Sequence, residues 1–176
     1  MWKIDGAGRI AAGITAVKDE ELPDLPRFGI RMFLDKKLSE AAYYGMGPQE
    51  SYRDKHRAAS HGLFRSSVQE LHEDYIMPQE NGSHYDCDYA SIANDRVVLT
   101  AVGEKTFSFQ ASVYTQEELT EKAHNYELKP CGSTVFCIDY RQAGIGSASC
   151  GPMLLEKYQL KENEIKFAVR LKPELL

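Results

Sequence analysis

Along the 176 residues, apolar and polar side chains alternate mainly with a period of two. Ile10, Ala12, Ile14 and Ala16 alternate with their neighbours near the start. Tyr85, Cys87 and Tyr89 alternate with Asp86 and Asp88. Phe107, Phe109, Ala111 and Val113 alternate with Ser108, Gln110 and Ser112. Ile165, Phe167, Val169 and Leu171 alternate with Lys166, Ala168 and Arg170. Successive strand side chains point to opposite faces, so each set predicts a strand with one buried face. The segments 28–35 and 134–140 are more continuously apolar, which predicts strands covered on both faces.

Turn chemistry separates these runs. Asp5-Gly6-Ala7-Gly8 predicts a hairpin turn between Trp2–Ile4 and a strand over 9–17. Pro23 and Pro26 interrupt any regular element around Asp24-Leu25. Asn81-Gly82 and Ala93-Asn94-Asp95 read as turns. Lys161–Glu164 predicts a late hairpin joining a strand over 155–160 to one over 165–171. One helix is predicted near 115–124: Thr115-Gln116-Glu117-Glu118 has the spacing of a capping box, with Thr115 capping and Glu118 reaching back. The chain reads as one all-β domain, a sandwich rather than a set of βαβ units.

Composition narrows the class. Hydrophobic residues make up 43% and charged residues 27%, ordinary for a globular domain able to build its own core. The net charge is −5, and no basic run suggests nucleic acid as a partner. The longest apolar runs, such as 97–102, are far too short for a membrane-spanning helix. The start, MWKIDGAGRI, shows no basic segment followed by an apolar one, so no signal peptide is expected. Cys87, Cys131, Cys137 and Cys150 form no Cys-x-x-Cys pair and have no histidine at ligand spacing. They predict free thiols and, with them, a cytoplasmic location.

Three stretches carry candidate chemistry. Gly47–Asp54 and Pro78–Gly82 contain Glu50 and Glu80, which pose two alternatives. One is a paired-carboxylate hydrolytic site. The other is a pair of loop anchors that accept backbone N–H groups or pair with Arg53 or Arg57. The five histidines, His56, His61, His72, His84 and His124, form no ligand pair on one face, and no metal site is expected. Gly144–Pro152, Gly-Ile-Gly-Ser-Ala-Ser-Cys-Gly-Pro, combines backbone freedom with Ser147, Ser149 and Cys150, and suits either close approach of a ligand or a tight loop between strands. No helix follows it, which disfavours a phosphate cradle.

Read together, these stretches carry a resemblance. Tyr43–Asp54 resembles the Gly-x-Gly-Pro-x-Glu-x-Tyr-x-Asp block of the C-terminal domain of family 2 β-galactosidases. The segment Leu22–Gly29 resembles the Leu-Pro-Arg-x-Gly stretch before that block. Tyr75–Gly82 matches the Tyr-x-x-Pro-x-Glu-Asn-Gly block, and Phe107–Leu119 is similar to an aromatic strand, cap and helix. Gly144–Pro152 matches a Gly-x-Gly-Ser-x-Ser-Cys-Gly-Pro variant. The blocks keep the family's order and span nearly the whole chain.

The resemblance implies a β-supersandwich, galactose mutarotase-like, covering 1–176 as a partial C-terminal domain and incomplete at its N-terminal side. It implies part of an enzyme that hydrolyses terminal β-D-galactosides such as lactose. The catalytic glutamates, and the magnesium and sodium sites of the family, belong mainly to a barrel domain that no segment here matches. On that footing the chain is non-catalytic, holds no cofactor, and has Glu50, Arg53, Glu80 and Asn81 as structural loop anchors. Its partners are the remaining domains or large chain, the galactoside, and further copies in a homo-oligomer. The loop Gly144–Pro152 enters the substrate pocket, with Cys150 at a position where one branch carries a sugar-stacking tryptophan. Cys150, Ser149 and Ser147 are then the substrate-binding candidates. Two alternatives stay open: a stand-alone carbohydrate-binding module, and a mutarotase-like enzyme using His56 or His84 with Glu80 as base and acid.

Overall fold

The computed structural model describes residues 1–146 and 153–176. Among them are nine strands: β1 (Trp2–Ile4), β2 (Ile10–Val17), β3 (Arg27–Asp35), β4 (Glu40–Gly47), β5 (Ser60–Ser67), β6 (Ser83–Ala93), β7 (Val97–Ser112), β8 (Ser133–Gln142) and β9 (Glu164–Leu175). One α-helix, α1 (Gln116–Glu121), lies between β7 and β8. All strand pairings are antiparallel. The fold is all-β, in agreement with the period-two pattern.

The sixteen-residue strand β7 organises the sheet. On one side it pairs with β6, which leads on through β4 to β5. On the other side its first part, Val97 to Gly103, pairs with β9, followed by β2 and β1. Its last part, Ser108 to Ser112, pairs instead with β8, followed by β3. The sheet therefore divides into two arms at the middle of β7, and the arms meet through Tyr140 of β8 and Phe167 of β9, whose ring centroids lie 6.1 Å apart.

Local backbone features mark the division. The β6–β7 register shifts twice, between His84 and Cys87 and between Cys87 and Tyr89. Asp86 lies between these pairs with φ 56°, a left-handed conformation that is uncommon outside glycine and is typical of an inserted bulge residue. On β7, within the second shift, a Cβ on Gly103 would sit 2.2 Å from the Lys105 carbonyl, so the local backbone requires glycine there.

The core fills the inner faces of both arms. Tyr43, Cys87, Ile92, Phe107, Phe109, Phe136, Ile138, Val169 and Leu171 are buried in one cluster. The segment 134–140 is covered on both faces, as its continuous apolar pattern predicts, with Thr134 to Asp139 all buried.

Three expectations need correction. Strand β3 is an edge: it pairs only with β8, its burial alternates, and Phe33 is 55% exposed beneath the Arg31 guanidinium. Stretch 155–160 is not a strand. Glu156–Tyr158 is a 3₁₀ turn, and the Lys157 and Gln159 carbonyls go to the Arg53 side chain rather than to a ladder. The partners of β9 are β2 and β7. The helix is shorter than 115–124, and only half of the capping box forms. The Thr115 side chain accepts the Glu118 N–H at 3.1 Å, but Glu118 accepts the Lys129 N–H instead of reaching back.

Candidate functional site

The segment between β4 and β5 builds the site. Ser51 is buried and ties this segment to β6, donating its N–H to the Ser83 carbonyl at 2.7 Å and accepting the Tyr85 N–H on its hydroxyl at 2.9 Å. Tyr52 and Lys55 then exchange backbone hydrogen bonds of 2.8 and 3.0 Å, closing a tight turn. The turn sends Glu50 inward and places Arg53 and Asp54 at its tip.

Glu50 is the inner end of this arrangement. It is 8% exposed. Its carboxylate pairs with Lys55 Nζ at 2.5 Å, and accepts hydrogen bonds from the Gly82 N–H at 2.8 Å and the Tyr52 hydroxyl at 3.3 Å. The Tyr75 hydroxyl also donates to it. Burial acts to raise its pKa, but the bonds from Lys55, Tyr75 and Gly82 outweigh it and hold the carboxyl below its usual range. The cation that pairs with it is Lys55, not Arg53 or Arg57. Gly82 has φ 68°, and a Cβ there would lie 2.4 Å from the Leu71 carbonyl, so the backbone approaches Glu50 only because the residue is glycine.

A second cluster lies at the start of β3 and the end of β8. Arg27 pairs with Asp139 at 2.5 Å and with Glu80 at 3.2 Å, and donates to the Gln110 side chain at 3.3 Å. Gln142 bridges the two carboxylates, donating to Asp139 at 3.2 Å and to Glu80 at 3.4 Å. Asp139 is 2% exposed. Burial opposes the guanidinium charge, but the two carboxylates win and raise the Arg27 pKa. Burial raises the Glu80 carboxyl to about 7, with Arg27 pulling it down and Asp139 pushing it up. Asn81, also buried, accepts the Glu73 N–H at 3.1 Å and donates to the Gln79 carbonyl at 2.9 Å.

These clusters flank the stem of the Gly/Ser loop. Asp54 accepts the Ile145 N–H at 3.2 Å and the Gly146 N–H at 2.7 Å. Arg53 donates to the Lys157 carbonyl at 2.9 Å and the Gln159 carbonyl at 3.4 Å. The two limbs are tied together by the Gly144 N–H, which donates to the Tyr158 carbonyl at 2.9 Å. Beside the entry limb is a cavity of about 380 Å³ lined by Arg27, Glu80, Gln142 and residues 144–146. The substrate-binding candidates Ser147, Ser149 and Cys150 lie outside the described residues.

Glu50 and Glu80 thus each face their own cation, Lys55 and Arg27. His84 is 1% exposed, with its ring centroid 4.3 Å from Tyr43 and 5.1 Å from Phe109. Burial holds its pKa down to about 4. His56 turns Nδ1 to the Tyr52 carbonyl at 2.8 Å. Neither histidine forms a hydrogen bond with Glu80 among the described residues. Of the four cysteines, Cys87, Cys131 and Cys137 are free thiols, the first and last buried; Cys150 lies outside the described residues. No helix among the described residues is long and apolar enough to cross a membrane.

Sequence reading gave no role to Arg27 and Asp54, although both are fixed positions of the quoted blocks, and passed over Lys55, Asp139 and Gln142. Asp139 carried a usable signal: a carboxylate inside the continuously apolar run 134–140 must be buried, and a buried charge needs a partner. Nothing local identified Arg27 as that partner, 112 residues away.

Comparison with known proteins identifies the family. The family model described as "Beta galactosidase small chain" matches residues 1–171. The chain is 48% identical over 165 residues to a β-galactosidase of Actinobacillus pleuropneumoniae, a match covering 94% of this chain and 16% of that protein. It is 37% identical over 171 residues to a β-galactosidase of Staphylococcus xylosus, covering 97% of this chain and 17% of that one. With a Kluyveromyces lactis β-galactosidase the identity is 33% over 146 residues, covering 82% and 14%. The chain therefore spans about a sixth of the length of these curated relatives. It belongs to the β-galactosidase small-chain family.

Proposed function

We propose that this chain is a non-catalytic portion of the C-terminal β-sandwich of a β-galactosidase, packing on the catalytic barrel and lending the loop Gly144–Pro152 to the galactoside pocket. The observation that carries the reading is the family match over 1–171 combined with coverage of only 16–17% of the two most similar relatives described above. The site chemistry supports it. A retaining glycosidase needs one carboxyl as acid and one as free nucleophile. Glu50 is instead saturated by Lys55, two tyrosine hydroxyls and a backbone N–H, while Glu80 is engaged with Arg27 and Gln142. Glu50, Arg53, Glu80 and Asn81 act in this reading as anchors of the loops around the pocket.

The finer assignments belong to the same proposal. The substrate is a terminal β-D-galactoside such as lactose, and the enzyme is a cytoplasmic family 2 glycosidase acting in lactose catabolism as a homo-oligomer. Its magnesium and sodium sites lie outside this chain. Ser147, Ser149 and Cys150 contact the sugar, and Cys150 offers a smaller, softer surface than an indole.

The test is hydrolysis of nitrophenyl β-galactoside by the isolated chain and by a complete enzyme carrying it. The isolated chain should be inactive, and joining it to the barrel-containing part should restore turnover. Hydrolysis by the chain alone would overturn the reading. In the complete enzyme, Cys150→Ala should change KM more than kcat, and unchanged kinetics would reduce the loop to plain structure.

A further inference from the structure

We propose that Asp54 is the positioning residue of the loop Gly144–Pro152: its carboxylate fixes where the loop leaves β8 and thereby sets the affinity for the galactoside. The inference rests on the pocket role of the loop proposed above, and gives a role to Asp54, the last fixed position of the Tyr43–Asp54 block.

The geometry is specific. Both carboxylate oxygens of Asp54 are used, Oδ1 for the Ile145 N–H and Oδ2 for the Gly146 N–H. Two successive N–H groups directed at one carboxylate form a charge-assisted pair, stronger and more directional than neutral hydrogen bonds. Gly146 has φ 57°, a left-handed conformation suited to glycine, which lets the chain turn its N–H toward Asp54. Gly144 is held to the same requirement. A Cβ on it would lie 2.5 Å from Asp54 Cγ and 2.7 and 2.8 Å from the two carboxylate oxygens. The carboxylate thus occupies the volume a side chain at 144 would need.

The neighbouring residue completes the clamp. Arg53 holds the returning limb through the carbonyls of Lys157 and Gln159. Entry and exit are therefore gripped by adjacent side chains on one tight turn, whose other side is locked to the core through Ser51 and Glu50. Asp54 touches the loop stem, so its effect on turnover acts through the loop. Fixing the entry limb lowers the ordering cost of binding, and releasing it weakens contacts that depend on the loop.

The experiment uses the complete enzyme carrying this segment, with Asp54→Ala, Asp54→Asn, Gly144→Ala and Cys150→Ala. Amide exchange of the peptide spanning 143–147 is read by mass spectrometry, alongside KM and kcat for nitrophenyl β-galactoside. Asp54→Ala should speed exchange of the Ile145 and Gly146 amides and raise KM about tenfold, with kcat held within about twofold. Asp54→Asn keeps one acceptor oxygen and should fall between, and it serves if the alanine variant does not fold. Gly144→Ala should mimic Asp54→Ala, and the double variant should be no worse than either single one, because each removes the same clamp.

Parent-like exchange and KM in Asp54→Ala overturn the inference, as does a fall in kcat at constant KM. If Cys150→Ala shifts KM while Asp54→Ala does not, the pocket reading stands and the positioning role falls. If neither shifts KM although exchange accelerates, the pocket reading itself falls, and the substrate role of Asp54 falls with it.

Discussion

His84 and Glu80 are close in sequence, yet burial moves their charges in opposite senses. The His84 ring lies against Tyr43 and Phe109, and its Nε2 has no hydrogen-bond partner among the described residues; burial disfavours the imidazolium and lowers the pKa to about 4. The unfolded chain takes up this proton near pH 6.5 and the folded chain only near 4. Stability from neutral His84 is thus fully present above about pH 6.5 and is lost as pH falls toward 4, by roughly 3 kcal/mol in all. His84→Phe should flatten the acid limb of a Tm-against-pH curve; an unchanged limb would assign the acid sensitivity to other groups. For Glu80, burial raises the folded pKa to about 7 against the pull of Arg27. Its contribution is present below the ordinary glutamate pKa and is lost as pH rises through 7. Relative to the parent, Glu80→Gln should therefore gain in Tm between about pH 5 and pH 8. A Tm difference that stays constant with pH would contradict this. Glu80 could be picked out in the sequence as an acidic residue beside Asn81-Gly82. Its raised pKa could not, because that comes from burial and from Asp139, and outweighs the opposing pull of Arg27.

Elements fail or hold through the pairs that join them. The arm formed by β3 and β8 is pinned by Arg27 on one strand and buried Asp139 on the other. Arg27→Ala removes the cation and leaves Asp139 buried and uncompensated, which should cost about 3–5 kcal/mol. Arg27→Ala with Asp139→Ala should cost less than the sum of the two, since neither then strands a charge. Additive losses in a denaturant series would show that the two residues act separately. The same arm needs Gly29, where a Cβ would lie 2.3 Å from the Ile138 carbonyl. Most elements were legible in the sequence because period-two alternation has a single physical cause, one buried sheet face. The exceptions follow from partners rather than pattern. The apolar run 28–35 gave no warning that β3 is an edge. The apolar stretch 155–160 gave none that Arg53 takes the carbonyls a strand would have used.

Over the whole molecule, one row of facing residues crosses the core side of the sheet. Phe64 lies opposite Tyr43, then Ala90, Ala101, Leu171, Ile10 and Ile4 follow strand by strand. Burial is complete at Ala90 and Ala101 and is lost at the far end, where Ile4 is 71% exposed and Trp2, on the same face, 59%. The inner face is thus apolar where it is exposed among the described residues, at the arm that ends in β1. In isolation the chain should self-associate through this face and bind a hydrophobic dye. A monomer by sizing that binds no dye would contradict this, and Trp2→Ser with Ile4→Ser should reduce both signals.

The sequence by itself determined the all-β class, most strands and turns, the Thr115 cap and the ordered blocks that place the chain among β-galactosidase small chains. These depend on short-range periodicity, turn chemistry and residue identity, all readable within a few positions. Only the tertiary structure decided that β7 serves two arms, that Arg27 meets Asp139, and that Asp54 receives the stem of the Gly/Ser loop. Those contacts join residues 112 and up to 92 positions apart. They arise because the sheet divides and folds back on itself, a property of how the strands pair and not of any one strand.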